Sequence, residues 1–451
     1  MKRITILLGV ALATILHTHV WGATTASGVS VGEHTLNSDE WLGLTFQAHQ
    51  YGTPLAEMAR LWNTPFLSKA GRNRFNHQRD FIPAGTDTCC PNQDTLYSLV
   101  WLDLSQGPLV FSMPNLQGRY FVVHTTDLFG RNQKTYGPHN LSTSQNKILI
   151  SGLGWKGQVS EFMQHLAVNA NDALILLRIA PRDPSDIPMV RQIQDQLRLE
   201  TLSGKPYRER PLPRFDQDDP FNTLRILDEI ARRNPIPGRD AGIMKTLKPL
   251  GIGQGEVFAP ERLPEATQAI MKQAIAGSEA LLLNHVPNVG DRTGQWLYLA
   301  GGDTFYNDTL ARATVAVSYI LPNDENIAVY LITNTDTFGD QLMGSKHYTL
   351  TFKEPPPAHE FWSLIAYSWP DVRLQKNATG KYSIGDRSAG LKYEADGSLV
   401  LHVSPALPEG VDASNWLPLP DGDISFALRL YAPFQNVVDR SWLAPDFVPV
   451  P

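Results

Sequence analysis

Pro91-Asn92-Gln93-Asp94-Thr95-Leu96-Tyr97, running directly into Ser98-Leu99-Val100-Trp101-Leu102, joins a polar turn to an apolar strand. Proline presets φ for a turn, and Asn and Asp bond back to backbone amides nearby, so the first half turns the chain. The apolar run after Tyr97 then reads as a strand. A short turn can be built without Asn-x-Asp. Asn92, Asp94 and Tyr97 together therefore point to side chains converging on a site.

Working outward, residues 109–113, 120–126, 147–151 and 173–179 are short apolar or alternating runs bounded by Gly, Pro or Asn, which predicts strands. Upstream, Trp41, Leu44, Thr45, Ala48 and Tyr51 share a helical face, Gly52-Thr53-Pro54 interrupts it, and Leu55, Met58, Leu61 and Trp62 resume it. A helix is expected over residues 185–202. Leu224, Leu227 and Ile230, then Leu263 to Leu281, then Leu310 to Ile320, recur at helical spacing as core faces. Beyond Pro322 the period returns to two, over residues 329–333, 348–352, 361–367, 399–403 and 426–431. Ala395-Asp396-Gly397-Ser398 is a turn between strands. The expected organisation is a β-rich segment over residues 38–206, a mainly helical region over 207–321, and a second β-rich segment over 322–451.

Met1-Lys2-Arg3, the apolar run from Ile4 to Leu16 and the small residues from Gly22 to Ala26 form the layout of a secretory signal peptide, residues 1–22, cleaved near Ala23. The run is shorter than the roughly 20 apolar residues that span a bilayer. Periplasmic or secreted localisation is expected, with no membrane insertion after cleavage. The 451-residue chain has 39 Lys+Arg against 45 Asp+Glu, a net charge of −6, and loss of Lys2 and Arg3 leaves it near −8. Nucleic acid is excluded as a partner on that balance, because phosphate backbones are bound through clustered positive charge.

Cys89 and Cys90 are the only cysteines, and they are adjacent. Three arrangements are open to them: a vicinal disulfide, two buried inert thiols, or an intermolecular link.

The stretches Pro91 to Tyr97, Gly107-Pro108-Leu109-Val110, Gly118-Arg119-Tyr120 and Gly152 to Gly157 resemble exported proteins of the domain-of-unknown-function family 1254. Phe361-Trp362-Ser363-Leu364, Tyr382 to Ser388, Asn415-Trp416-Leu417-Pro418 and Leu428-Arg429-Leu430-Tyr431 resemble the companion family 1214. The resemblance implies an α+β, mainly β protein, with two β-rich barrel or jelly-roll-like domains and a helical middle segment. It carries no catalytic set. Cys89-Cys90 before the Pro-Asn motif departs from the family pattern.

Nucleophile elbow, His-Glu-x-x-His and phosphate-loop motifs are absent, and the histidines stand singly, so neither metal nor organic cofactor is expected. His124, in the middle of a strand, reads as a core histidine. What remains is a set of carboxylate, guanidinium and aromatic groups. Asp94, Tyr97 and Asp127 are candidate catalytic groups, with Arg119 the expected spatial partner of Asp94. Asn92, Arg119, Trp362, Tyr367 and Arg387 are candidate substrate-binding groups. Each also has a structural reading as turn cap, ion pair or core aromatic. Three functions fit: a cofactor-independent hydrolase or lyase acting on a small organic substrate, a non-catalytic periplasmic binding module, or a structural assembly protein, a homo-oligomer among the partners considered.

Overall fold

The structure is a computed structural model that describes residues 30–31, 34–141, 146–302, 305, 308–377 and 379–451. The segment expected to be a signal peptide lies outside the described residues. After a two-stranded ladder, β1 (Ser30–Val31) and β2 (His34–Thr35), the helix α1 (Ser38–Trp62) begins with a reciprocal cap. The Asn37 side chain accepts from the Glu40 amide at 3.0 Å, and the Glu40 carboxylate accepts from the Asn37 amide at 2.8 Å. Gly52-Thr53-Pro54 does not interrupt α1 as expected. The Thr53 hydroxyl bonds the His49 carbonyl at 2.8 Å, and Pro54 is buried inside a continuous helix.

A short α2 (Pro65–Ser68) leads into the first sheet pair. One sheet has five antiparallel strands in the order β3 (Asn76–His77), β4 (Leu96–Asp103), β10 (Asp172–Ile179), β6 (Phe121–Asp127) and β7 (Asn132–Tyr136). The other has four, β11 (Arg198–Thr201), β5 (Leu109–Ser112), β8 (Lys147–Ser151) and β9 (Gln164–Ala167), with β8 and β9 parallel. Period two decides which face goes where. Val100, Leu102, Ile175 and Leu177 meet Phe111, Ile148 and Ile150 between the two sheets. Leu99, Trp101, Leu174 and Leu176 point the other way, onto Leu55, Met58 and Trp62 of α1.

The helix expected over residues 185–202 is shorter. A 3-10 turn at Pro184–Asp186 opens α3 (Ile187–Asp195), after which the chain becomes β11. Leu199 pairs opposite Phe111, so sheet pairing overrides the helical reading of these four residues.

In the middle, α4 (Asn222–Arg233), α5 (Ala241–Leu247) and α6 (Glu265–His285) share a core with α1, and Leu224, Leu227 and Ile230 are buried as expected. Gly52 lets α1 and α4 approach, since a Cβ there would lie 3.1 Å from Thr223 Cγ2 and 3.2 Å from Leu227 Cβ. The helical region ends before residue 322. β12 (Gly290–Thr293) and β13 (Trp296–Leu299) already belong to the C-terminal sheet, with α7 (Thr309–Ser318) inserted after them.

That sheet runs β12, β13, β14 (Ala328–Thr333), β20 (Ile424–Pro433), β16 (Ala358–Ser368), β17 (Ser383–Gly385). A four-stranded sheet covers it, in the order β19 (Trp416–Pro418), β18 (Leu399–Ser404), β15 (Tyr348–Phe352), β21 (Val448–Pro449), with α8 (Gln435–Val438) after β20. Leu331, Trp362, Leu364, Leu428 and Leu430 pack between them against Leu350, Phe352, Leu401 and Val403. The protein is thus mixed α and β. Each half is a pair of facing sheets, and no sheet of the described residues closes into a barrel, one of the two architectures, barrel or jelly-roll-like, that were expected.

Two glycines of α1 give opposite expectations. Gly52→Val should cost about 1–3 kcal/mol through crowding against α4. Gly43→Ala, with nothing within 4 Å of the added Cβ, should gain about 0.5–1 kcal/mol. Denaturant melts of the two variants check both signs.

Candidate functional site

The Pro91 to Tyr97 turn closes on itself before it reaches anything else. Asn92 Oδ1 accepts the amides of Asp94 at 2.6 Å and Thr95 at 2.9 Å, which aims the Asp94 side chain away from its own sheet. It enters the C-terminal half and is 3% exposed. Asp94 Oδ2 accepts the hydroxyls of Ser363 at 2.7 Å and Tyr431 at 2.8 Å. Arg387 Nη2 lies 3.5 Å from Oδ1, and Arg429 Nη1 lies 3.9 Å from Oδ2. Asn92 Nδ2 adds a bond to the Tyr431 hydroxyl at 3.2 Å.

Strand register explains why these donors converge. Ser363 pairs with Arg429 and Phe361 with Tyr431 across β16 and β20, so all four share one face of the six-stranded sheet. Trp362, Leu364, Leu428 and Leu430 occupy the opposite, core face. At the first residue of the motif and the one before it, the same face continues the grip. The Tyr367 hydroxyl donates to the Pro91 carbonyl at 2.9 Å, while Arg429 Nη2 donates to the Tyr367 hydroxyl at 2.8 Å and approaches the Cys90 carbonyl at 3.4 Å. An aromatic cluster seals the seam, with Tyr120 edge-on to Phe361 at 5.3 Å and Phe361 4.2 Å from Tyr431.

Burial raises the Tyr431 hydroxyl pKa well above its ordinary value, and the Asp94 carboxylate adds to the rise. Burial likewise pushes Tyr367 up to about 12, against the opposing pull of Arg429. Both tyrosines are therefore protonated donors at neutral pH. Arg429 is fully ionised; burial opposes its charge, and the Tyr367, Tyr431 and Asp94 oxygens restore and raise its pKa.

Four expected site residues, Asn92, Asp94, Tyr367 and Arg387, meet here. Arg387 also stacks on Phe361, with its guanidinium carbon 3.6 Å from the ring centroid. Tyr97 is half-buried nearby, its ring 5.5 Å from the Arg178 guanidinium. Trp362 is on the wrong face: its ring packs 5.6 Å from Phe352 in the core.

Arg119 is not the partner of Asp94. It forms a two-pronged pair with Asp186 at 2.8 and 2.5 Å. The expectation assumed that consecutive strands pair, whereas β10 lies between β4 and β6. Asp127 stands at the far end of the same sheet, opposite Ala173, while the Asp94 end lies beyond Ile179. At about 3.3 Å per residue that separation is roughly 20 Å. There Asp127 Oδ1 accepts the Phe129 and Arg131 amides at 2.9 and 3.1 Å, capping a turn, and burial raises its pKa.

Ser363, Arg429 and Tyr431 were missed. Their signal was a charged residue within Leu428-Arg429-Leu430-Tyr431, where alternation places Arg429 and Tyr431 together on the face away from the core.

Cys89 is exposed, so the pair is not buried, and the two sulfurs are in direct contact. Cys90 takes a left-handed φ of +53° and donates its amide to Val372 O at 2.8 Å. His124 is a core histidine: Nδ1 faces Arg178 Nη1 at 3.2 Å, so it accepts, and Nε2 donates to Asn132 Oδ1 at 2.6 Å. Burial first, then Arg178, pushes its pKa down to about 3. Among the described residues no three His, Cys, Asp or Glu side chains are grouped to hold a metal, and no helix is long and apolar enough to cross a membrane.

If Asp94 fastens the two halves, its removal strands buried Arg429 and the Tyr431 hydroxyl. Asp94→Ala should then cost about 3–5 kcal/mol, and Asp94→Asn, which keeps an acceptor, about 1–3 kcal/mol. Urea melts with unchanged midpoints would refute that role.

Residues 72–201 match the family described as protein of unknown function DUF1254, and residues 327–435 match the one described as DUF1214. Asp94 lies in the first match, and all four of its partners lie in the second. Among solved structures, the VPA0106 protein from Vibrio parahaemolyticus is similar with a TM-score of 0.72 and 20% identity, over 91% of this chain and 100% of that one. An uncharacterized protein from Burkholderia cenocepacia aligns over 92% and 95% of the two chains with a TM-score of 0.47 and 12% identity. No curated protein matches the chain. The likeness to VPA0106 shows a common fold.

Proposed function

Since the chain belongs to the DUF1254 and DUF1214 families, one in each half, we propose that it is an exported binding protein for a small organic ligand, with the Pro91 to Tyr97 motif as the joint between its halves. The observation that carries the non-catalytic part is the burial of Asp94 among donors of the C-terminal half. Oδ2 accepts two hydroxyls, Oδ1 faces Arg387, and the group is 3% exposed. A general base needs a free lone pair within hydrogen-bond reach of a substrate proton. Asp94 is shut away from any substrate proton, with Oδ2 committed to two hydroxyls and the side chain buried, and Tyr367 and Tyr431 hold their protons at neutral pH. The hydrolase or lyase reading therefore loses its base at this motif. Binding needs no such base, only a concave, partly polar surface such as the shallow cleft between residues 73–77 and 194–199 of the N-terminal half.

A pool of metabolites incubated with purified protein, followed by mass spectrometry of retained and released molecules, tests this reading. Retention without conversion is expected. A product whose formation is abolished by Asp94→Asn at an unchanged melting temperature would overturn it.

The exported form is proposed to begin near Ala23, with Cys89 and Cys90 joined to each other, as an oxidising compartment favours. Intact-mass measurement of exported protein alkylated without reductant should give a chain starting near Ala23 with no label. A mass beginning at Met1 counts against export, and two labels count against the bond.

A further inference from the structure

The helix α7, inserted after β13, closes a small cavity against α1 and the turn between β6 and β7. Pro54 and Met58 of α1, Gly130 of the turn, and Phe305, Val315 and Leu321 wall it. Its volume is about 10 Å³, room for one particle about the size of a water molecule. The walls are apolar apart from one side chain, Arg312 of α7.

Arg312 is 3% exposed and makes no hydrogen bond or ion pair among the described residues. Its Nε is fully buried without a partner. Nη1 and Nη2, equally without a partner, are not sealed off in the same way, and the residue lines the cavity. Its one close neighbour is the Tyr51 ring, 5.4 Å from the guanidinium carbon. Nearby acceptors are taken by other donors. The Leu321 carbonyl accepts from Arg178 Nη2 at 3.3 Å, and the Pro322 carbonyl accepts from Asn132 Nδ2 at 3.1 Å.

Two carboxylates, Asp127 and Asp240, act on Arg312 from a distance, and both are committed elsewhere. Asp240 holds Arg131 with two bonds of 2.7 Å, and Asp127 Oδ1 caps the amides of Phe129 and Arg131. They offset the charge in part and fill none of the donors. Burial, then the neighbouring Arg131 guanidinium, pushes the Arg312 pKa down to about 10, so the cation persists at neutral pH. A buried charge is tolerated when it is paired and hydrogen-bonded, and the donors of Arg312 are neither. A water molecule would bring an acceptor but no charge, and apolar walls give its own hydrogens nowhere to go. The cavity is too small for a carboxylate-bearing organic molecule. A single-atom anion meets both demands.

We infer that this cavity is a halide site, taking one chloride ion on the Arg312 guanidinium and thereby tying α7 to α1 and to the turn between β6 and β7. The site is separate from the ligand surface of the binding-protein reading and stands or falls without it.

Urea melts of the purified full chain at constant ionic strength, with sodium chloride exchanged for sodium gluconate, test it, because gluconate is too large to enter. Chloride at about ten times its dissociation constant should shift the folding equilibrium about tenfold toward the native state, saturably. Bromide should do the same. The shift should vanish in Arg312→Met, which removes the charge and keeps an unbranched side chain. It should also shrink in Ala316→Val, which keeps the arginine and fills the cavity from the α7 side, so this variant decides the matter if Arg312→Met does not fold. Crystals grown in bromide should show an anomalous peak within hydrogen-bond distance of the Arg312 Nη atoms. A chloride response that is absent, or equal in the wild type and the folded variants, overturns the inference. So does a bromide crystal with only a water beside Arg312.

Discussion

The carboxylate of Asp94, carried out of water by one half of the chain and neutralised by the other, is the constraint on which the arrangement of the halves depends. A buried carboxylate is tolerated only when paired and hydrogen-bonded. Its hydrogen-bond donors Ser363, Tyr431 and Arg387, and the further cation Arg429, all come from the C-terminal half. The dependence is mutual. Without Asp94, Arg429 would sit buried beside tyrosine rings with no carboxylate near it. Neither half has a satisfied interior at this seam without the other, so the two families' segments form one folded object.

The far end of the same sheet repeats the device. Asp103 lies opposite Asp172, and Asp127 lies opposite the next residue, Ala173, so three buried carboxylates stand in a row across β4, β10 and β6. Like charges on neighbouring strands repel unless cations intervene. Arg72 and Arg233 reach Asp172 at 2.8 and 3.0 Å, and Arg210 reaches Asp103 at 3.1 Å. Arg131, 3.9 Å from Asp127, pairs bidentately with Asp240 at 2.7 Å. These arginines and Asp240 come from the turn before β3, the loop before α4, the end of α4, the β6 to β7 turn and the start of α5. The five-stranded sheet thus serves as a hub whose strand ends anchor the surrounding segments electrostatically, while its faces anchor them by apolar packing.

Much of this was legible one strand at a time. Period-two runs such as Leu350 within Tyr348 to Phe352, and helical faces such as Leu224, Leu227 and Ile230, report local burial, and local burial is what periodicity encodes. The Asn92 turn was legible for the same reason, because an Asx bond closes within three residues. Pairing order was not. β10 inserts between β4 and β6 from about fifty residues away, and nothing in the spacing of Arg119 announces that Asp186 will be nearer to it than Asp94. Residues 198–201 carried a helical pattern that lost to pairing with β5. Pro54 looked like a break, yet Thr53 and the packing of α4 at Gly52 hold the helix together around it.

The candidate site was half legible on the same grounds. Spending Asn92, Asp94 and Tyr97 on one short turn did signal a task beyond turning the chain, and the composition of carboxylate, guanidinium and tyrosine is what both an active site and a buried joint require. Accessibility separates the two, and accessibility is a property of the partner surface, not of the motif. Gln194 makes the same point from the other side. In sequence it was one polar residue on a helical face, whereas folded it is shut inside, its Nε2 bridging the carbonyls of Gln78 and Tyr97. Tyr97 links the two places: its ring faces Arg178 beside the seam, and its carbonyl accepts from Gln78 at 2.8 Å and Gln194 at 3.2 Å. One strand therefore holds its first residues to the C-terminal half and its outer edge to the helix that lines the cleft.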